Sequence, residues 1–280
     1  MTKLIYSIPV GLASSSPGRS VILRADNPAA LSVLNKTDED ENILYIRLYS
    51  LGQELIPDFV RKTDIPIDYV LSAPQEQASA LYKLSALLPE HQIRVTIPML
   101  PGFSKTVKLA AALNFSVKLN ISAPYPGLID ELTETINAYL HQTTVCQPVE
   151  FFHSLLIHFL HNDPTHLWLI QEEDPAVYRF ISADGQESMP GRLADSPLSG
   201  LPETFVSRFR EEMRTTDKEC GNCAFLDCCA CYFKWPDRNF SCEQYRIREM
   251  FALLQQAANE ITRDQDEFEQ TTSCQPGEST

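Results

Sequence analysis

The alternation of apolar and polar positions predicts strands and helices in turn over the first 165 residues. Runs rich in β-branched and aromatic residues, typical of strands, lie at 3–10, 19–24, 43–49, 69–72, 93–99 and 117–121. Apolar residues recur at helical spacing at 54–62, 76–88, 105–113, 128–140 and 150–160. Strands separated by single helices of this length predict β-α-β units and a parallel sheet, either as a partial barrel or as an open sheet.

The pattern changes after residue 165. Strand-like runs at 166–172 and 176–183 are separated by a Glu-Asp-Pro turn and followed by an Asp-Gly turn, which predicts a hairpin. Two amphipathic helices are predicted at 203–213 and 243–261, on either side of a cluster of cysteines. The residues after the second helix are polar and lack an apolar period, so they are expected to be disordered.

These patterns divide the chain into three parts. Residues 1–165 are expected to form a barrel-like α/β domain, residues 166–262 a small cysteine-rich domain, and residues 263–280 a disordered tail. A chain of 280 residues allows one large domain, or a larger domain that carries a small appendix.

Charge excludes several functions. The chain has 37 acidic against 23 basic side chains and a formal net charge of −14, and it contains no cluster of Lys and Arg. Recognition of nucleic-acid phosphates or of an anionic membrane needs such a cluster, so neither partner is expected. No apolar run approaches the roughly 20 residues of a membrane-spanning helix, and Pro9 and Gly11 interrupt the apolar N-terminus. A cytoplasmic protein is expected.

Cysteine spacing carries the strongest chemical signal. Six of the eight cysteines lie within one short segment, at Cys220, Cys223, Cys228, Cys229, Cys231 and Cys242. In a reducing cytoplasm such a cluster indicates metal ligands rather than disulfides. A C-x2-C pair places two thiolates on one side of a tight turn, and two later thiolates complete a four-coordinate site. Zinc and an iron–sulfur cluster both accept four thiolates, so spacing alone does not choose between them.

The cysteine pattern resembles a known family. The run Cys220-x2-Cys223-x5-Cys229, continuing through Tyr-Phe-Lys-Trp-Pro to Cys242, resembles the SPASM extension of radical S-adenosylmethionine (SAM) peptide and sulfatase maturases. Residues 177–185, which end in Asp-Gly, are similar to the segment before that extension. The resemblance implies a partial radical-SAM-like (β/α) barrel followed by a SPASM-type domain. It also implies one 4Fe–4S cluster on Cys220, Cys223, Cys229 and Cys242.

Two departures from the family matter for function. Radical SAM enzymes hold their catalytic cluster on a C-x3-C-x2-C loop, but here Cys146 is the only cysteine before Cys220. SAM cleavage by this chain is therefore not expected. The family often has a Pro-Cys pair after the Asp-Gly turn, where this chain reads Glu-Ser-Met-Pro, and Phe233 stands where the family has a further ligand. One cluster is expected rather than two, with Cys228 and Cys231 as alternative ligands to Cys229.

Three functional hypotheses follow. The resemblance implies a non-catalytic accessory protein that relays electrons to a radical SAM maturase or presents its precursor peptide. The alternative is a zinc-stabilised interaction module with no redox role. The third is an enzyme with Cys228 or Cys231 as nucleophile, and the sequence shows no ordered Cys-His pair for it.

Other candidate residues are interpreted structurally. His158 and His161 share a face of a predicted helix with no carboxylate partner, so they and His153 are expected to be surface or interface histidines. The glycines of segment 11–18 lack the spacing of a phosphate loop and predict a turn. Three aromatic residues next to the cysteines are expected to shield a cluster from solvent: Tyr232, Phe233 and Trp235.

Overall fold

A nine-stranded sheet organises the computed structural model, which describes residues 3–15, 18–34, 42–50, 64–121, 125, 127–142, 145–194 and 202–273. The strands are β1 (Ile5–Pro9), β2 (Ser20–Ala25), β3 (Ile43–Leu48), β4 (Ile67–Val70), β5 (Ile93–Pro98), β6 (Ser116–Asn120), β7 (Val149–Glu150), β8 (Tyr178–Ile181) and β9 (Glu187–Ser188). Their order across the sheet is β7-β6-β5-β4-β3-β2-β1-β8-β9. Every neighbouring pair is parallel except β8–β9. The parallel α/β class expected from the sequence is confirmed.

Helices connect the strands, and further helices come after the last strand in the chain. They are α1 (Pro74–Gln77), α2 (Ala80–Ser85), α3 (Phe103–Ala112), α4 (Leu128–His141), α5 (Phe152–His161), α6 (Leu167–Ile170), α7 (Phe205–Thr216), α8 (Lys218–Gly221), α9 (Leu226–Cys229) and α10 (Ile247–Ser273). The helix expected at 76–88 is two short helices. A 3-10 helix, Val10–Ser15, follows β1, and β1 and β2 are parallel. The helix expected at 54–62 lies outside the described residues.

The strand order is that of an eight-stranded (β/α) barrel opened between β7 and β8. Charged side chains interrupt the apolar strands at matching positions, since Arg47 is paired in register with Asp68 and Asp68 with Arg94. Successive side chains of a strand point to opposite faces of a sheet. One face is therefore lined by the apolar neighbours of these residues, which are buried, and the other, called here the inner face, carries the charges.

Residues 166–172 form a helix and a turn rather than the predicted strand. Helix α6 buries three of its apolar side chains, and the Gln171 side chain then bonds to the backbone of β6. Its Nε2 donates to the Leu119 carbonyl at 3.0 Å, and its Oε1 accepts from the Ile121 amide at 2.9 Å. Strand β7 has only two residues and pairs with Val117 and Lys118 of β6. The Gln171 side chain therefore bonds to backbone groups that β7 is too short to reach. A side-chain amide thus takes the place of a neighbouring strand.

Two further expectations are corrected. The predicted hairpin of 166–172 with 176–183 does not form, because the first run is helical; a different hairpin, across Asp184-Gly185, joins β8 to β9, and β8 pairs with β1. The predicted boundary at 165/166 therefore does not coincide with an edge of the sheet. The chain is helical to Ser273, so the disorder expected from residue 263 is wrong for 263–273, and 274–280 lie outside the described residues. None of the described helices is long and apolar enough to cross a membrane.

Candidate functional site

Five cysteine side chains line one small cavity of about 20 Å³. They are the four residues that the sequence singled out as ligands, together with one of the two alternates: Cys220, Cys223, Cys229, Cys242 and Cys231. Cys228 does not line this cavity, and its thiol donates to the Phe225 carbonyl at 3.4 Å. Cys146 is exposed, and Cys274 lies outside the described residues.

Local backbone structure explains how these thiols converge. Asp217 caps α8 by accepting from the Cys220 amide at 2.8 Å, and the Cys223 amide bonds to the Cys220 carbonyl at 3.1 Å, which forms the tight C-x2-C turn. A Cβ atom at Gly221 would lie 2.8 Å from the Arg214 carbonyl oxygen, so the turn packs against α7 only with glycine there.

The alternate ligand Cys231 reaches the cavity through an unusual turn. Helix α9 ends at Cys229, and the next two residues, Ala230 and Cys231, have φ values of 47° and 58°. Two successive left-handed residues reverse the chain sharply. The turn is fixed to α6 because the Trp168 indole N–H donates to the Ala230 carbonyl at 2.9 Å.

A partly buried ion-pair cluster connects α8 to the segments that carry Lys234 and Cys242. Lys234 Nζ lies 2.9 Å from Asp217 Oδ2 and 2.8 Å from Glu219 Oε2. The Glu219 carboxylate also accepts from the Ser241 hydroxyl and the Cys242 amide. Burial raises the pKa of Glu219, but the hydrogen bonds from Lys234 and Cys242 outweigh burial and hold that pKa at about 2. Glu219 thus remains ionised and fixes the loop of Cys242 beside α8.

Replacing Glu219 by glutamine is expected to lower the free energy of unfolding by about 1–3 kcal/mol, since hydrogen bonds to a charged group contribute about that much. Urea unfolding followed by tryptophan fluorescence measures the change. The matched control is Glu212→Gln, which removes an exposed partner of Arg238 and should have a much smaller effect. Equal effects of the two changes would contradict a positioning role for Glu219.

Apolar side chains line the thiol cavity, and one of the three aromatic residues that the sequence suggested is among them. Phe233 lines the cavity as expected, whereas Tyr232 and Trp235 do not. Tyr232 packs edge-on against Trp168 with ring centroids 4.9 Å apart. The other apolar wall residues come from the flanking helices: Leu226, Ile247 and Phe251. Closeness in sequence to the cysteines did not show that the helices would supply these wall residues.

Burial and hydrogen bonding shift the pKa values of these thiols in opposite directions. Burial raises the pKa of Cys242 to about 12 and that of Cys228 to about 12. The pKa of Cys220 is lowered, chiefly because Cys231 donates a hydrogen bond to it. A reactive nucleophile needs a stabilised, accessible thiolate. Cys228 and Cys231 are each only 1% exposed, which argues against the hypothesis of a cysteine nucleophile.

Among the described residues, no group of three or more His, Cys, Asp or Glu side chains is arranged to hold a single metal ion. The histidines expected at the surface are not arranged around a metal ion either. His153 and His161 are exposed, and His158 Nδ1 lies 2.5 Å from the Asp163 carbonyl oxygen. The five thiols therefore share a cavity without converging on one point.

A second polar centre, which sequence reasoning missed, lies on the inner face of the sheet. We call it the interior charge cluster, and it consists of Arg47, Asp68, Arg94, Lys118 and Glu172. Glu172 accepts from Lys118 at 2.7 Å, from Arg47 at 2.5 Å and from Arg94 at 3.3 Å. Asp68 bonds to Arg47 at 2.9 Å and to Arg94 at 3.0 Å. The cluster thus connects the turn after α6 to strands β3 to β6.

Acid is expected to weaken the fold through this cluster. Burial raises the pKa of Asp68, but the charges of Arg47 and Arg94 outweigh it and hold the pKa at about 2. The pKa of Glu172 is likewise below its usual range. Because both pKa values are depressed in the folded state, this stabilisation is present above pH 4 and is lost as pH falls from about 4 towards 2. The urea midpoint should be flat from pH 7 to 5 and then fall. A midpoint unchanged at pH 3 would contradict the expectation.

Comparisons with known proteins add little to these observations. No protein-family model matches the chain, and no curated protein matches it. The crystal structure of Streptococcus suis SuiB is similar to this chain at 11% sequence identity and a TM-score of 0.45, over 82% of this chain and 72% of that one. These values are too low to assign a family or an activity.

Proposed function

We propose that the chain is an iron–sulfur-binding accessory protein of a radical SAM peptide or protein modification system. One observation carries the proposal: five cysteine thiols from four separate turns and helices line a single cavity whose exposed surface is almost entirely apolar. Buried thiols without a ligand role need not lie close together, whereas the ligands of a cluster must. The SPASM-like spacing supplies the expected partner, a radical SAM maturase or its precursor peptide.

The donor set fits a 4Fe–4S cluster. Cys220, Cys223, Cys229 and Cys242 would hold it, with Cys231 as the alternate ligand, because Cys228 is outside the cavity. Such a cluster supplies one-electron transfer when it is bound. The chain's own residues position and shield it: Glu219 fixes the Cys242 amide at 3.0 Å, and Phe233 excludes water.

The proposed role is that of a partner, not of a SAM-cleaving enzyme. A catalytic cluster needs three cysteines on one loop, and before Cys220 the chain has Cys146 alone. The purified chain is therefore expected to relay electrons to a maturase or to present its peptide. Cleavage of SAM by the isolated, cluster-loaded chain would contradict this role.

Zinc is the second candidate, and the size of the cavity favours it. About 20 Å³ is room for a single ion or one water, so a cluster requires the thiols to move apart. Against zinc, the described thiols do not converge on the common point that tetrahedral coordination at about 2.3 Å requires. A zinc-bound chain would be an interaction module without redox chemistry.

Anaerobic purification followed by iron, sulfide and zinc analysis separates the two candidates. The proposal predicts a brown protein with about four iron and four sulfide per chain after reconstitution. A colourless protein with one zinc and no sulfide would establish the second candidate instead. A protein that retains neither metal would contradict both.

A further inference from the structure

An open groove of about 300 Å³ lies between α4 and the middle of α10. None of the residues that line it lines the thiol cavity. Five of the lining residues are apolar: Ile136, Leu140, Leu253, Ala257 and Ile261. Ile136 is fully buried, but the other four are half-buried or exposed, and Ile261 is 37% exposed. The groove therefore has an apolar floor that is partly open to solvent.

The apolar side of α10 continues beyond the groove. Phe268 follows Ile261 by seven residues, so the two lie on the same face of the helix, and Phe268 is 72% exposed. All side chains at 259–268 are exposed, which means that this end of α10 extends into solvent. From Leu253 to Phe268 the apolar side of the helix is about 22 Å long. Exposed apolar side chains that continue an apolar groove indicate an interaction surface.

Negative charge borders this surface. Residues 259–268 contain four acidic side chains and one basic one. Two of the acidic residues, Glu260 and Asp264, line the groove, and neither Lys nor Arg is among the described residues that line it. The basic residue, Arg263, has Nη2 3.7 Å from Asp264 Oδ1, whereas the Glu260 carboxylate accepts from the neutral amide of Gln256 at 2.9 Å. The groove thus has an acidic rim.

The charges decide which occupant fits. Helix α4 ends at the groove with His141, and the C-terminal end of a helix carries a partial negative charge, which adds to that of the rim. An anionic membrane, or a second copy of this chain with its net charge of −14, would place negative charge against negative charge. An occupant therefore needs positive charge beside an apolar face, which is the pattern of a basic amphipathic helix.

We propose that this groove and the exposed end of α10 bind a basic amphipathic helix of a partner protein. Apolar side chains of that helix cover Leu253, Ala257 and Ile261, and its Lys or Arg side chains lie beside Glu260 and Asp264. Helices of this kind bind grooves through anchors spaced three and four residues apart, and about four turns match the length of the surface. The surface shares α10 but no residue with the thiol cavity, so the proposal stands whichever metal the thiols bind.

A synthetic peptide tests the proposal on the full chain. It has about 15 residues, with Leu at helical spacing on one face and Lys on the other. Fluorescence anisotropy of the labelled peptide is expected to show saturable one-to-one binding. A peptide of the same composition with scrambled Leu and Lys positions keeps the charge but has no apolar face, and it should bind about tenfold more weakly or worse. This comparison needs no protein variant, so it is decisive even if a variant fails to fold.

Charge reversal locates the binding. The double variant Glu260→Lys, Asp264→Lys should weaken binding of the amphipathic peptide about tenfold, because two attractive contacts become repulsive. The matched control Glu76→Lys, Glu90→Lys makes the same change in net charge at two exposed residues that do not line the groove, and it should leave the affinity nearly unchanged.

Four results would overturn the proposal. Equal affinity for the two peptides, or equal affinity of the two double variants, would show non-specific attraction to an acidic protein. The absence of saturable binding to the wild type would show a surface that only water covers. In sedimentation equilibrium, a dimer that Ile261→Asp converts to a monomer would identify a second copy of the chain as the occupant.

Discussion

Replacing Glu172 by glutamine is expected to destabilise the fold by about 3–5 kcal/mol, the usual cost of removing one partner from a buried ion pair. The carboxylate is buried among Arg47, Arg94 and Lys118, and its loss leaves these three cations with Asp68 alone. Urea unfolding measures the change. Thermal unfolding should show a decrease in Tm of roughly 10 °C for a chain of this size.

Two companion variants make this result specific. Glu134→Gln is the matched control, because Glu134 is 61% exposed and pairs with Lys108 at the surface; it should change stability little. Combining Glu172→Gln with Lys118→Met removes a cation with the anion and should recover part of the lost stability. If Glu172→Gln resembles Glu134→Gln, or if the double variant is the least stable of all, the interior charge cluster does not hold the turn after α6 to the sheet.

This cluster also shows where sequence reasoning fell short. Arg47, Asp68, Arg94 and Lys118 each interrupt an otherwise apolar strand. Strands of a parallel sheet covered on both faces read as continuous apolar runs, so one charge inside each of four successive strands is a recognisable signal of a polar interior. Their partner Glu172 could not be found in this way, since the turn that carries it follows a run of four apolar residues that fits strand and helix equally well.

The remaining errors have equally local causes. The end of α10 was placed at Ile261 because the apolar period stops there, but a helix that leaves the protein surface needs no apolar period, and residues such as Arg263 and Glu267 support it by pairing four apart. Spacing groups four cysteines as ligands of one site, and in the structure the four line one cavity. It did not distinguish Cys228 from Cys231, because that choice depends on the left-handed turn at Ala230, which residue type does not reveal.

Replacing both Cys220 and Cys223 by alanine is expected to abolish metal binding at the thiol site. The two thiols belong to one tight turn, and three lining cysteines remain without them: Cys229, Cys231 and Cys242. Reconstituted protein should lose the cluster absorbance and more than about tenfold of its bound iron and sulfide, because fewer than four thiolates remain in position. Iron and sulfide analysis beside visible absorption measures the loss, and far-ultraviolet circular dichroism verifies folding.

Single serine variants then assign the fourth and fifth thiols. Cys146→Ser is the control for an exposed cysteine outside the site and should retain full cluster content. Cys228→Ser should also retain it, since that thiol donates to the Phe225 carbonyl instead of lining the cavity. Loss on Cys229→Ser but not on Cys231→Ser identifies Cys229 as the ligand, and the reverse identifies Cys231. Full cluster content in the Cys220 and Cys223 double variant, or its loss in Cys146→Ser, would refute the assignment of this cavity as the metal site.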